Sequence, residues 1–126
     1  MLAFPNQTPI YVATEHTDFR KGIDGLQQLC KLKINKDPFS GAIFIFCNKR
    51  KHSIKILWYD GQGFMLCLKR LSVGRFNWWP PNNNEKLYIA LAQEAQILLF
   101  NGDPSKYNFQ SLWKPIINQA TLDDDS

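Results

Sequence analysis

Residues 41–81 read GAIFIFCNKRKHSIKILWYDGQGFMLCLKRLSVGRFNWWPP, and the fold turns on how this stretch is divided. It holds three apolar runs, residues 42–47, 54–59 and 64–68, rich in Ile, Phe, Trp and Tyr. Short runs of that composition are strand signals. The breaks between them are turn-like. Residues 48–53 are polar and basic, and Asp60-Gly61-Gln62-Gly63 supplies two glycines for positive φ. An antiparallel meander follows. A turn centred on Gly61 and Gln62 pairs residue 55 with 68, 57 with 66 and 59 with 64. Lys55, Leu57, Tyr59, Phe64, Leu66, Leu68 and Arg70 then share one face, and Ile54, Ile56, Trp58, Met65, Cys67 and Lys69 the other. Both faces are largely apolar, so the sheet is covered on both sides, or covered on one and used for binding on the other.

Working outward, residues 9–13 (PIYVA) form a first strand, and residues 19–32 a helix. The helix shows Phe19, Ile23, Leu26, Leu29 and Cys30 on one stripe, with Thr17 or Asp18 as its N-cap. Arg20 and Lys21 fall in its first turn, where the helix dipole disfavours cations. Gly22 and Gly25 inside it point to a close approach by the sheet or a ligand, packing being the first explanation. Downstream, residues 75–79 start as a strand that Pro80 and Pro81 end. Residues 87–91 form another strand and residues 92–100 a second helix, stopped by Asn101 and Gly102. The expected architecture is α+β: a single domain over residues 1–122 with an antiparallel meander of about four to six strands, one helix before it and one after. Residues 123–126 form an acidic tail.

The chain has 126 residues, 44% of them hydrophobic, enough for one globular domain with its own core. No apolar run approaches the roughly 20 residues that span a bilayer. The first residues lack the basic and apolar regions of a secretion signal, so a cytoplasmic location is expected, with no membrane partner. Three widely spaced cysteines, Cys30, Cys47 and Cys67, read as buried free thiols. With His16 and His52 they make no metal-ligand spacing, and no cofactor motif is present.

Net charge is +4, but Asp123, Asp124 and Asp125 mask a larger excess. Without them 15 basic residues face 8 acidic ones. Between residues 49 and 86 lie Lys49, Arg50, Lys51, Lys55, Lys69, Arg70, Arg75 and Lys86, against only Asp60 and Glu85. A patch of that sign favours a polyanion such as nucleic acid, or else is a solvated surface that confers solubility. For nucleic acid the useful cations are Arg20, Lys21, Lys49, Arg50, Lys51, Lys55, Lys69, Arg70 and Arg75. Trp58, Tyr59, Trp78 and Trp79 are candidates for stacking on unpaired bases, although a strand Trp is more often core. The acidic tail is expected to compete with DNA for the basic patch. Asp18, Asp24 and Asp60 are the candidate carboxylates for a two-metal site. Asp18 and Asp24 are six residues apart and share no helix face, and Asp60 is a turn residue, so a non-catalytic protein is expected.

Four stretches occur in one order: Asp18-Phe19-Arg20-Lys21-Gly22-Ile23-Asp24-Gly25-Leu26, then Asp37-Pro38-Phe39-Ser40-Gly41, then Lys55-Ile56-Leu57-Trp58-Tyr59-Asp60-Gly61, then Lys69-Arg70-Leu71 with Gly74-Arg75-Phe76. That order resembles the TnpB accessory protein, the product of the second open reading frame, of the IS-sixty-six family of bacterial insertion sequences. The resemblance covers about residues 9–81, with Phe19 where the family often has Met. It implies a role in transposition beside a separate, larger transposase that carries the catalytic carboxylates, and it brings no catalytic residue set of its own. Two expectations follow. One is an accessory factor that binds DNA at the element ends through the basic residues. The other is a protein-interaction module that docks on the transposase encoded by the same element and never touches DNA.

Overall fold

The computed structural model describes residues 7–106. Five strands, β1 (Ile10–Ala13), β2 (Ile43–Cys47), β3 (Ser53–Tyr59), β4 (Phe64–Arg70) and β5 (Leu87–Ala90), form one sheet in the order β4-β3-β2-β1-β5. Helix α1 (Ile23–Leu29) continues as a wider π turn over Cys30–Ile34, and α2 (Ala92–Leu99) follows β5. The tail at residues 123–126 lies outside the described residues, as does the end of the domain expected over residues 1–122.

The β3–β4 hairpin has the register its sequence predicts: Lys55 faces Leu68, Leu57 faces Leu66 and Tyr59 faces Phe64. The turn is built by Asp60, whose carboxylate accepts from the backbone N–H groups of Gln62 (2.9 Å) and Gly63 (3.0 Å), while Gly61 takes φ +99°. Both faces are covered. Leu26, Cys30 and Ile34 of the α1 segment pack on Ala13, Phe44, Phe46 and Leu57. Ala95, Leu98 and Leu99 of α2 pack on the opposite face, against Ile10, Val12, Ile45, Ile54 and Ile56. Strand β2 contributes to both cores, which is why it reads as an unbroken apolar run.

The sheet is mixed, not an antiparallel meander. β1 pairs with β2 in parallel and with β5 antiparallel. A parallel neighbour needs a long crossover, and the segment carrying α1 supplies it. The first helix, expected between the first strand and the meander, is thus the crossover between two neighbouring strands of one sheet, β1 and β2. Residues 75–79 form no strand. Phe76 and the two tryptophans drop onto the α2-side core instead, and the Trp79 indole N–H donates to the Ala13 carbonyl (2.8 Å).

Helix α1 begins four residues later than its apolar spacing predicts, with Gly22 at the N-cap and no side-chain cap. The Asp18 carboxylate is occupied by the backbone N–H (3.0 Å) and guanidinium of Arg20. Lys55 reaches up from β3 and donates to the carbonyls of Phe19 and Lys21, both at 2.9 Å. Those two carbonyls are the acceptors a helix starting at Phe19 would need, so the ammonium holds residues 19–21 as a turn. Arg20 and Lys21 consequently lie before the helix, outside its first turn.

Candidate functional site

The turn of residues 48–53 and the segment of residues 16–21 are distant in sequence but both contribute to the lining of one cleft of about 1040 Å³. They are joined at the base, where the Thr17 N–H donates to the Cys47 carbonyl at the end of β2 (2.8 Å). Gly25, Gln28, Leu29, Leu32 and Lys33 of the α1 segment complete the wall.

The basic turn is held firmly. Asn48 Oδ1 accepts from the backbone N–H of His52 (3.1 Å) and of Ser53 (3.2 Å), and the His52 ring nitrogen Nδ1 lies 2.7 Å from Ser53 Oγ. Lys51 takes a left-handed φ of 61°. From behind, the N–H of Leu71 donates to the His52 carbonyl (2.8 Å) and that of Phe76 to the Lys51 carbonyl (2.7 Å). This leaves Lys49 and Arg50 exposed at the apex.

Five cations line the cleft, Arg20, Lys21, Lys33, Lys49 and Arg50, against one carboxylate, Asp18. Arg20 forks onto Asp18 at 2.7–3.1 Å. That guanidinium holds the Asp18 carboxyl down at about 2, and Arg20 is raised in turn. Among the described residues, Lys21, Lys33, Lys49 and Arg50 form no salt bridge. The Lys21 stem lies against Gly25, where an added Cβ would come within 3.0 Å of the Lys21 Cβ. The glycine thus makes room for this lysine and not for the sheet; at Gly22 nothing lies within 4 Å of an added Cβ. Thr17 is 3% exposed, and its hydroxyl has no hydrogen-bond partner among the described residues.

Of the nine cations singled out from the sequence, Arg20, Lys21, Lys49 and Arg50 meet in this cleft. Lys51 stands beside them, exposed in the same turn. Lys55 lies beneath, pinned to the Phe19 and Lys21 carbonyls and 5.0 Å from the Phe19 ring centroid. Lys69 is on the other face of the sheet, donating to the Leu99 carbonyl at the C-terminal end of α2 and lying over the Phe100 ring. Arg70 and Arg75 are exposed at the end of β4 and in the connection after it. Lys33, His16 and Thr17 also line the cleft and stand outside those nine cations. Lys33 had a signal, since Lys21, Gly25, Leu29 and Lys33 recur every four residues. Trp78 and Trp79 pack on the α2-side core, with Trp78 edge-on to Tyr88 at 5.9 Å.

The remaining candidate chemistry is otherwise engaged. Asp60 is fixed in its turn, where the Gln62 and Gly63 amides lower its pKa. Burial pushes the Cys30 thiol up to about 12 and the Cys47 thiol to about 11, so both stay protonated at neutral pH. Among the described residues no cluster of three or more His, Cys, Asp or Glu side chains could hold a metal ion, and no helix is long and apolar enough to cross a membrane.

A mixed-sheet α+β domain with a positively charged cleft is thus the class of molecule in hand. The chain belongs to the family described as IS66 Orf2 like protein, whose model matches residues 8–107. Membership gives it an accessory role associated with insertion-sequence transposition. It is similar to the uncharacterized protein y4hO of Sinorhizobium fredii, at 32% identity over 115 residues, covering 91% of this chain and 96% of that one. The uncharacterized protein y4jC of the same organism is also 32% identical, over 106 residues, with 84% and 89% covered. No solved structure matches the chain.

Proposed function

We propose that the protein binds DNA non-catalytically at the ends of its element, through the cleft, and in doing so assists a separate transposase encoded by the same element. The observation that carries this reading is the convergence of Lys21, Lys33, Lys49 and Arg50 on one cleft, none of them in a salt bridge among the described residues. Like charges held together repel one another, and a polyanion relieves that repulsion while releasing its own counterions. The Asn48 network and the Lys55 contacts hold the backbone of both segments in advance, so binding has side chains and not backbone to order. A mobility-shift titration with element-end DNA should show binding that weakens steeply as salt rises. Absent or salt-independent binding by the folded protein would refute it.

A second reading, docking on the transposase without DNA contact, is favoured by a different observation. Edge strand β4 leaves Met65 45% and Leu68 62% exposed, and Phe39, 49% exposed, stacks edge-on to Tyr59 and Phe64 at the adjoining hairpin tip. An open strand edge with apolar side chains is a surface another chain can extend. Co-purification with the transposase that survives nuclease and high salt, and is lost in Leu68→Lys, would favour docking.

A further inference from the structure

The cleft is not lined by charge alone. Phe19, Leu29 and Leu32 contribute apolar surface among the five cations, and Leu32 stands 74% exposed in the solvent. A surface that reads only the phosphates of a duplex has no use for this, because paired and stacked bases keep their ring faces hidden. An unpaired strand offers both chemistries, phosphates for a basic groove and bare ring faces for apolar side chains. The tryptophans that sequence alone offers for stacking lie partly buried against the core on the far side of the sheet, so the apolar surface beside the basic groove is Phe19, Leu29 and Leu32.

We propose that the cleft takes single-stranded DNA, its phosphates against Lys21, Lys33, Lys49 and Arg50 and unstacked bases against Leu29, Leu32 and the Phe19 edge of the wall. This rests on the DNA-binding reading above and adds the strand preference. The volume, about 1040 Å³, suits a few nucleotides of flexible single strand. A duplex can lay one backbone along its mouth, but its paired and stacked bases cannot reach the apolar wall.

The test is competition against a labelled single-stranded 20-mer, read by fluorescence anisotropy with the full chain, using unlabelled single strand and the same sequence as blunt duplex at one salt concentration. The single strand should compete at least about 10-fold better. Leu32→Ser, a change at an exposed position that spares the core, should weaken single-strand binding about 5-fold. Ile89→Ser, equally exposed on the edge strand β5, should leave it unchanged. Duplex competing as well as single strand would overturn the strand preference, Leu32→Ser binding like wild type would overturn the seating of bases on the apolar wall, and either result would leave the DNA-binding reading standing. Failure of both DNA forms to bind would overturn the two together.

Discussion

At the scale of the residue, Lys55 shows how one side chain is diverted from surface chemistry to architecture. A cation at a strand end reads as a phosphate contact, yet its ammonium is spent on two carbonyls that would otherwise close the first turn of α1. Hydrogen bonds to a charged donor contribute about 1.5–3 kcal/mol. Lys55→Met keeps the stem over Phe19 but deletes both, and should lower stability by about 2–3 kcal/mol in urea unfolding. DNA affinity should fall further than one lost charge accounts for, because Lys21 loses its anchor. Asp18 is the counterpart on the acidic side. Its carboxyl is held at about 2, below the ordinary 3.8, chiefly by Arg20. A carboxylate with a depressed folded pKa stabilises above its unfolded value and loses that contribution as pH falls. Thermal stability should therefore decline between about pH 4 and pH 2, and Asp18→Asn should flatten that decline. At neutral pH the same variant frees Arg20 and removes the cleft's one acid. DNA binding should tighten, with a salt dependence steeper by about 0.7–0.9 in log–log slope.

Among the elements, the β3–β4 hairpin was legible in full and α1 only in part, for physical reasons. The two apolar runs and the Asp-Gly turn between them are local, and the turn fixes the register to the residue. The start of α1 depends on Lys55, which is 34 residues from Lys21 in sequence, and no local pattern reports that contact. The parallel pairing of β1 was hidden for a similar reason. Four residues, IYVA, state that they are a strand but not which neighbour they take, and the crossover decides it. Half the cleft was readable as the charged turn at residues 48–53; that this turn faces residues 16–21 follows from the Thr17–Cys47 hydrogen bond. Asn48 holds that turn in shape. Asn48→Ala removes the acceptor of two backbone N–H groups and should cost about 1–2 kcal/mol. It should also weaken DNA binding although no charge is lost, which a comparison of anisotropy titrations with wild type will check.

The whole molecule divides its work across the two faces of one sheet. On the α2 side, Lys69 and three aromatic residues, Phe76, Trp78 and Trp79, are committed to packing and helix capping. On the α1 side, the crossover that makes the sheet mixed also carries one wall of the basic cleft, so fold and site arise from the same segment. The β4 edge, unpaired on its outer side among the described residues, and the Phe39–Tyr59–Phe64 cluster share no residue with the lining of the cleft.

The most direct measurement is the salt dependence of DNA affinity for the wild type and for the combined variant Lys21→Ala, Lys33→Ala, Lys49→Ala, Arg50→Ala. These four side chains are exposed and form no salt bridge among the described residues, so circular dichroism should show an unchanged fold. The log–log slope should fall by about 0.7–0.9 for each cation removed, with affinity lost most at low salt. An unchanged slope in the folded variant would contradict the account and place any DNA contact elsewhere on the surface.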